Sequence, residues 1–142
     1  MKVQVRLDGK LRDASMIAAV DEYRKRFRRF GSLELVEVSG SGKRPTGLWP
    51  TGNWYRVLCD EQGRQWSSRT FAGILQQWIM QHGPVVIAIG AADGHLSTTR
   101  AQAQASWSLG PLTLPHQLAV VVVFEQLYRA AGIQAGTSYH RD

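Results

Sequence analysis

Val85-Val86-Ile87-Ala88-Ile89, closed by Gly90-Ala91-Ala92-Asp93-Gly94, is the stretch that decides the fold class. A half-buried strand alternates apolar and polar residues, whereas a short unbroken apolar run bounded by glycines suits a strand covered on both faces. Such strands belong to parallel α/β sheets. Ligands in those sheets sit beyond the carboxyl ends of the strands, which makes the Gly90 to Gly94 turn a candidate binding edge.

The flanking segments agree. Upstream, Ser67-Ser68 caps a helix with Phe71, Ile74, Leu75, Trp78 and Ile79 on one face, and Gly83-Pro84 stops it. Tyr55 to Cys59 reads as the strand before it. Earlier still, Val3, Val5 and Leu7 alternate as a first strand ending in Asp8-Gly9. A helix from about Ser15 to Phe30 carries Met16, Val20, Tyr23, Phe27 and Phe30 as its stripe, with Asp13 or Ser15 as cap and Gly31 as stop. Leu33, Leu35, Val36 and Val38 form a second strand. Residues 39–53, punctuated by Pro45, Gly47, Pro50 and Gly52, read as a loop. It is not an interdomain linker, since neither remaining half is large enough for its own core.

Downstream, Ser97 opens a short helix to about Ala105, and Trp107 to Leu109 form a last strand before the Gly110-Pro111 turn. Pro115 suits the first turn of a final helix through Ala131, with Gly132 as its end. Val120 to Val123 favour strand locally, but the period of Leu118, Val122, Glu125 and Arg129 is helical. The expected architecture is α/β, a mostly parallel sheet flanked by helices, in a single domain over residues 1–142.

The chain has 142 residues, 44% hydrophobic and 20% charged, which suits one globular domain and excludes wholesale disorder. Cys59 is its only cysteine, so an internal disulfide and a Cys-rich zinc site are excluded. Lys and Arg number 17 against 11 Asp and Glu, giving a net charge of +6 and a pI near 10.0, a balance that suits a polyanionic partner. The longest apolar run, Leu118 to Phe124, is far shorter than the roughly 20 residues that span a bilayer. Met1 to Leu7 lacks the apolar stretch of a signal peptide. No membrane and a cytoplasmic setting are therefore expected.

Several chemistries fail at the motif level. Gly42-Lys43 is followed by Arg44 rather than Ser or Thr, Gly90 to Gly94 is not GxGxxG, and HExxH and GxSxG are missing. Histidines 82, 95, 116 and 140 are too scattered for a local metal motif, so no metal is expected. His82 and His95 read as surface residues, Cys59 as a small apolar residue rather than a nucleophile, and Trp49 and Trp54 as packing against the sheet. Arg24, Lys25, Arg26, Arg28 and Arg29, with Lys43 and Arg44, are either a solvated face or a set of phosphate contacts. Glu125 and Arg129 stand in the favourable i, i+4 order on an apolar helix, where buried charge needs a reason. Tyr139-His140-Arg141 offers an aromatic face, a group titrating near neutrality and a phosphate fork, or else a frayed terminus.

Three ordered segments carry a resemblance. They are Ser106-Trp107-Ser108-Leu109-Gly110-Pro111-Leu112-Thr113-Leu114-Pro115-His116, Glu125-Gln126-Leu127-Tyr128-Arg129-Ala130, and Tyr139-His140-Arg141. Supported by Cys59-Asp60-Glu61-Gln62-Gly63, Ser67-Ser68 with Phe71-Ala72, and Ile89 to Gly94, they resemble the RlmH family. These are large-subunit ribosomal RNA methyltransferases of the SPOUT, or α/β-knot, superfamily. Similarity is strong from about residue 59 onward, moderate over residues 1–38 and essentially absent over 40–54.

The resemblance implies a homodimer whose C-terminal half forms a deep trefoil knot around S-adenosylmethionine. It further implies methylation of N3 of a pseudouridine in helix 69 of 23S rRNA in the 70S ribosome. The implied cofactor residues are Cys59, Gly90, Leu109, Gly110, Pro111, Leu112, Thr113 and Leu114. Tyr139, His140 and Arg141, with Arg129 and Glu125 behind them, would face the target base. The 39–53 loop stands where the family usually has a helix, and Gly90-Ala91 replaces a commoner double glycine. Pro111 has no N–H to donate, and Ser138 replaces a frequent proline. Two other readings remain: a catalytically weak RNA- or ribosome-binding knot protein, and a SPOUT methyltransferase acting on another RNA.

Overall fold

The computed structural model describes residues 1–91 and 94–140. Its strands are β1 (Lys2–Asp8), β2 (Ser32–Val38), β3 (Tyr55–Gln65), β4 (Val85–Ile89) and β5 (Ala105–Ser108). Its helices are α1 (Ala14–Phe27), α2 (Ser68–His82), α3 (Ser97–Ala101) and α4 (His116–Gln134). The strands form one sheet in the order β2-β1-β4-β3-β5, and each neighbouring pair is parallel.

β4 lies between β1 and β3, and all five of its residues are buried. Because side chains alternate along a strand, Val85, Ile87 and Ile89 enter the larger core with Val5, Leu75, Phe124 and Leu127. Val86 and Ala88 enter a second core with Val38, Leu48, Trp49 and Leu58. The first face is closed by helices, with α4 packed on both α1 and α2. The second is closed by the 39–54 loop and α3. Trp49 donates its Nε1–H to the Thr99 carbonyl at 2.8 Å, and Thr99 Oγ1 accepts from Leu48 N–H at 3.1 Å. Trp49 and Trp54 thus do pack against the sheet.

Four local expectations need correction. α1 ends at Phe27, and the chain reaches Gly31 through a tight turn in which Phe30 N–H bonds the Phe27 carbonyl at 2.8 Å. α3 stops at Ala101 rather than Ala105, and Gln104 N–H instead bonds the Arg56 carbonyl beside β3 at 2.8 Å. β3 runs past Cys59 to Gln65. Cys59 and Arg64 both register with Trp107, so Asp60 to Gly63 bulge from the ladder. Gly132 does not end α4, which continues to Gln134, with Gly136 in the left-handed region at φ +73° just beyond. Gly132 is a packing glycine instead: a Cβ there would lie 2.7 Å from Thr137 Oγ1.

The valines of α4 do form helix. Each β-branched residue costs up to about 0.7 kcal/mol of helix propensity. Val120, Val123, Phe124 and Leu127 are fully buried, and burying such side chains stabilises by about 1.5–3 kcal/mol each. Packing therefore outweighs the local preference.

Gly63 lets the β3 bulge rejoin β5, since a Cβ there would sit 2.8 Å from both the Ser106 carbonyl carbon and the Trp107 nitrogen. Gly63→Ala should lower stability by about 1–3 kcal/mol through this overpacking. Urea unfolding should show a lower midpoint with an unchanged slope.

Candidate functional site

At one edge of the sheet, β3 near its bulge and the carboxyl ends of β4 and β5 open into one cleft of about 900 Å³. β3 supplies Cys59 and, from its bulge, Asp60 to Gln62; the turn after β4 supplies Gly90, Ala91, Gly94 and His95, and the loop after β5 supplies Leu109, Gly110, Leu112, Thr113 and Leu114. Of the eight implied cofactor residues, seven line this cleft. Pro111 lies exposed on the same loop and does not.

Each wall has a local cause. At Gly90 a Cβ would lie 3.1 Å from the Gly94 backbone and from His95 Nδ1, so a larger residue there would push these neighbours back by a few tenths of an ångström. Gly110 has φ +130°, in the region that favours glycine. Buried Ser108 pins the loop that follows: its hydroxyl accepts from Gly110 N–H at 3.2 Å and donates to the Gly110 carbonyl at 3.1 Å. Leu112, 76% exposed, stands at the rim.

Cys59 is half-buried, and burial, aided by the negative charge of Asp60, pushes its thiol up to about 12. It stays a protonated thiol and no nucleophile. His95 corrects the sequence reading. It is half-buried at the cleft with Nε2 2.7 Å from the Cys59 carbonyl. A carbonyl only accepts, so Nε2 carries the proton. Burial, and secondarily the charge of Arg100, lowers the His95 pKa against the opposing bond to Cys59, favouring the neutral ring. His82 is exposed, stacked on Tyr55 with centroids 4.4 Å apart.

Sequence reasoning also missed the ion pair at the cleft. Arg100 Nη1 and Nη2 reach the two Asp60 carboxylate oxygens at 2.8 and 3.4 Å, and this contact holds Asp60 below its ordinary range. The partners lie 40 positions apart, and no spacing rule joins them.

A second polar cluster forms on α4 and the tail. Arg129 Nη2 meets Glu125 Oε2 at 2.7 Å, and the Tyr139 hydroxyl donates to the same oxygen at 2.8 Å. The Arg129 guanidinium lies over the Tyr139 ring, 4.9 Å from its centroid. Burial first, then hydrogen bonds with Tyr23 and Glu125, raises the Tyr139 pKa and keeps its hydroxyl protonated. Gln126 donates to the other Glu125 oxygen at 2.8 Å and accepts from the Ser68 hydroxyl at 2.6 Å. His140 Nδ1 is buried without a hydrogen-bond partner among the described residues. Arg141 lies outside the described residues.

The two clusters are separate within one chain. None of Glu125, Arg129, Tyr139 and His140 lines the cleft. Along α4, Glu125 and Arg129 lie about 9 and 15 Å beyond Ala119, which does line it. The basic face of α1 is partly self-neutralised: Arg24 and Lys25 both reach Asp21, at 2.7 and 3.0 Å, and Arg26 reaches Glu22 at 2.9 Å. Among the described residues, no helix is long and apolar enough to cross a membrane.

The cleft suits a nucleoside-sized ligand. Its volume is in the range of small-molecule sites, it has an apolar wall of Ile89, Leu109, Leu114 and Ala119, and Gly90 brings bare backbone to its edge. These features fit S-adenosylmethionine.

Residues 1–140 match the family described as "Predicted SPOUT methyltransferase". The chain is 43% identical over 125 residues to the ribosomal RNA large subunit methyltransferase H of Deinococcus radiodurans, covering 85% of this chain and 86% of that one. The protein of the same name from Stenotrophomonas maltophilia strain R551-3 is 36% identical over 156 aligned positions, covering 99% of both. Among solved structures, the SpoU methyltransferase AviRb of Streptomyces viridochromogenes, in complex with AdoMet, superposes with a TM-score of 0.54 at 15% identity. It matches 96% of this chain and 59% of its own. A probable methylase family protein of Haemophilus influenzae Rd KW20 gives 0.58 at 11% identity, over 99% and 70%. At such identities these structures bear on the fold alone.

Because the folded His95 pKa lies below the ordinary 6.5, the unfolded chain binds more protons there at acid pH. Its contribution is present above about pH 6.5 and is lost as pH falls through the folded value. Melting temperatures measured from pH 7.5 to 5 should fall more steeply for the native chain than for His95→Gln. Equal slopes would mean that His95 is not held neutral by burial.

Proposed function

The chain belongs to the SPOUT methyltransferase family, which uses S-adenosylmethionine, and from that premise we propose that it methylates N3 of a pseudouridine in helix 69 of 23S rRNA. Its substrate in this reading is the assembled 70S ribosome, in the cytoplasm, and it works as a homodimer with a C-terminal trefoil knot. The observation that carries the proposal is the cleft. The family-like loop Leu109 to Leu114, Gly90 and Cys59 converge there at one edge of the parallel sheet, in a chain 43% identical to a ribosomal RNA methyltransferase H.

The homodimer is supported by the separation of the two clusters. A reacting base must touch both the methyl donor and the tail, and in one chain Glu125 and Arg129 of the tail cluster lie about 9 and 15 Å along α4 from the cleft residue Ala119. A second copy supplying Tyr139, His140 and Arg141 to this cleft would complete the site.

When bound, the cofactor supplies a sulfonium methyl group poised for in-line transfer. The protein's part is to hold the cofactor and orient the base so that the N3 lone pair faces that carbon. Transfer would break the methyl carbon–sulfur bond, form a carbon–nitrogen bond at N3 and release the N3 proton. Glu125 fixes Arg129 and Tyr139 by accepting from both, so the guanidinium and the aromatic face are presented as one unit. The cation favours the anionic base and nearby phosphate. His140, or a water beside it, takes the proton.

Label from radioactive S-adenosylmethionine should enter 23S rRNA of 70S ribosomes and disappear when ribosomes lack the helix 69 pseudouridine. No transfer to any RNA by the folded dimer would favour the binding module, and label outside helix 69 would favour another RNA substrate. Arg129→Ala should lower kcat by about 100- to 1,000-fold, the usual loss of one preorganised charge stabiliser, with cofactor affinity unchanged.

A further inference from the structure

The cleft is chemically two-sided. Ile89, Leu109, Leu114 and Ala119 are among its apolar lining residues, and Asp60, Glu61, Gln62, His95 and Arg100 are among its polar ones. A ligand that uses both kinds of lining has an apolar part and a charged part. Within the polar part, one cation and one anion stand side by side. Arg100, from α3, meets Asp60, from the β3 bulge, at 2.8 Å.

The pair is a poor structural clamp. The Arg100 side chain is 46% exposed, and an ion pair so open to solvent contributes little to stability. The Asp60 side chain is only 15% exposed, sheltered by the bulge that brings it to the cleft. A guanidinium has five N–H donors, and Asp60 takes two of them. A carboxylate accepts on both oxygens from several directions. Each partner therefore retains capacity for a second ion of opposite charge. His95, held neutral by burial and bonded to the Cys59 carbonyl, adds shape there without competing charge.

From this arrangement we propose that Arg100 and Asp60 form the subsite for the amino-acid end of the cofactor, Arg100 taking the α-carboxylate and Asp60 the α-ammonium group. The zwitterion extends the protein's own ion pair into a four-charge array in which each charge faces its opposite. Charge-assisted contacts of this kind are the strong class of hydrogen bond, and a planar guanidinium matches a carboxylate in bidentate fashion. The adenosine part then falls to the apolar lining and the 109–114 loop.

This inference rests on the cofactor reading above, and binding measurements separate the two. Isothermal titration uses S-adenosylhomocysteine, which carries the amino-acid end, and 5′-methylthioadenosine, which lacks it. Binding of both by the native chain is expected, with the first tighter; binding of neither overturns the cofactor reading and this one together. In Arg100→Ala, affinity for S-adenosylhomocysteine should fall by about 10- to 100-fold, the scale of lost charge-assisted bonds, while affinity for methylthioadenosine stays unchanged. Asp60→Asn keeps the shape, removes the charge and should show the same selective loss, so the inference stands or falls even where truncation of Arg100 harms folding. Equal effects on both ligands, or no effect on either, overturn the subsite and place the amino-acid end elsewhere, such as the opening turn of α4.

Discussion

The two-sided burial of Val85–Ile89 is the constraint on which the rest depends, because a strand dry on both faces requires a cover on each and leaves only its ends open. Four of its five residues have no exposed surface. Helices α1, α2 and α4 cover one face in the ordinary way. The other is covered by a loop, and a loop can be buried only if its backbone groups are paired. They are paired locally, by Lys43 N–H to the Gly40 carbonyl, Gly47 to Arg44 and Trp49 to Thr46. They are also paired at a distance, by Arg6 Nε donating to the Leu48 carbonyl at 2.6 Å. The Gly- and Pro-rich 39–54 segment is thus a wall of the second core, with Trp49 as its largest buried side chain.

With both faces closed, chemistry is confined to the carboxyl edge, where three connections meet. The turn after β4 is kept narrow by Gly90, the β3 bulge is admitted by Gly63, and the loop after β5 is pinned by Ser108. Beyond that pin, Pro111, Leu112 and Thr113 are exposed, so this wall is anchored at its ends rather than packed along its length. The far end of α4 follows a different logic. Absence of a side chain at Gly132 lets Thr137 fold back onto its carbonyl, with both N–H and hydroxyl bonded there at 2.9 and 3.1 Å. That return carries Tyr139 to Glu125.

How legible these features were in the sequence depended on the range of the interaction behind them. Elements governed by local periodicity were readable: the alternation of Val3, Val5 and Leu7, the caps at Asp13 and Ser67, and the unbroken run of β4. The Glu125–Arg129 pair was readable too, because helical geometry alone brings residues four apart together. The misreadings of His95, α3 and β3 involve partners distant in sequence, whereas that of Gly132 is local. Gly132 before Gly136 looked like a stop because a glycine at a helix end and a glycine under a packed threonine have the same local signature. His95 looked exposed because its cover is the Cys59 carbonyl, 36 positions away. The extension of β3 was invisible because its partner strand, β5, lies some 40 residues downstream.

That same distinction bears on how the resemblance should be weighed. The loop Leu109 to Leu114 and the Tyr-His tail belong to ordered motifs, and motif matching located them without saying how they meet. In one chain they do not meet, since the rigid α4 separates the cleft from the Glu125–Arg129–Tyr139 cluster. A helix buried along Val120, Val123, Phe124 and Leu127 cannot bend to close that gap without exposing its core face. The distance is therefore a fixed property of the fold: the packing that stabilises α4 also sets how far apart the two clusters stand.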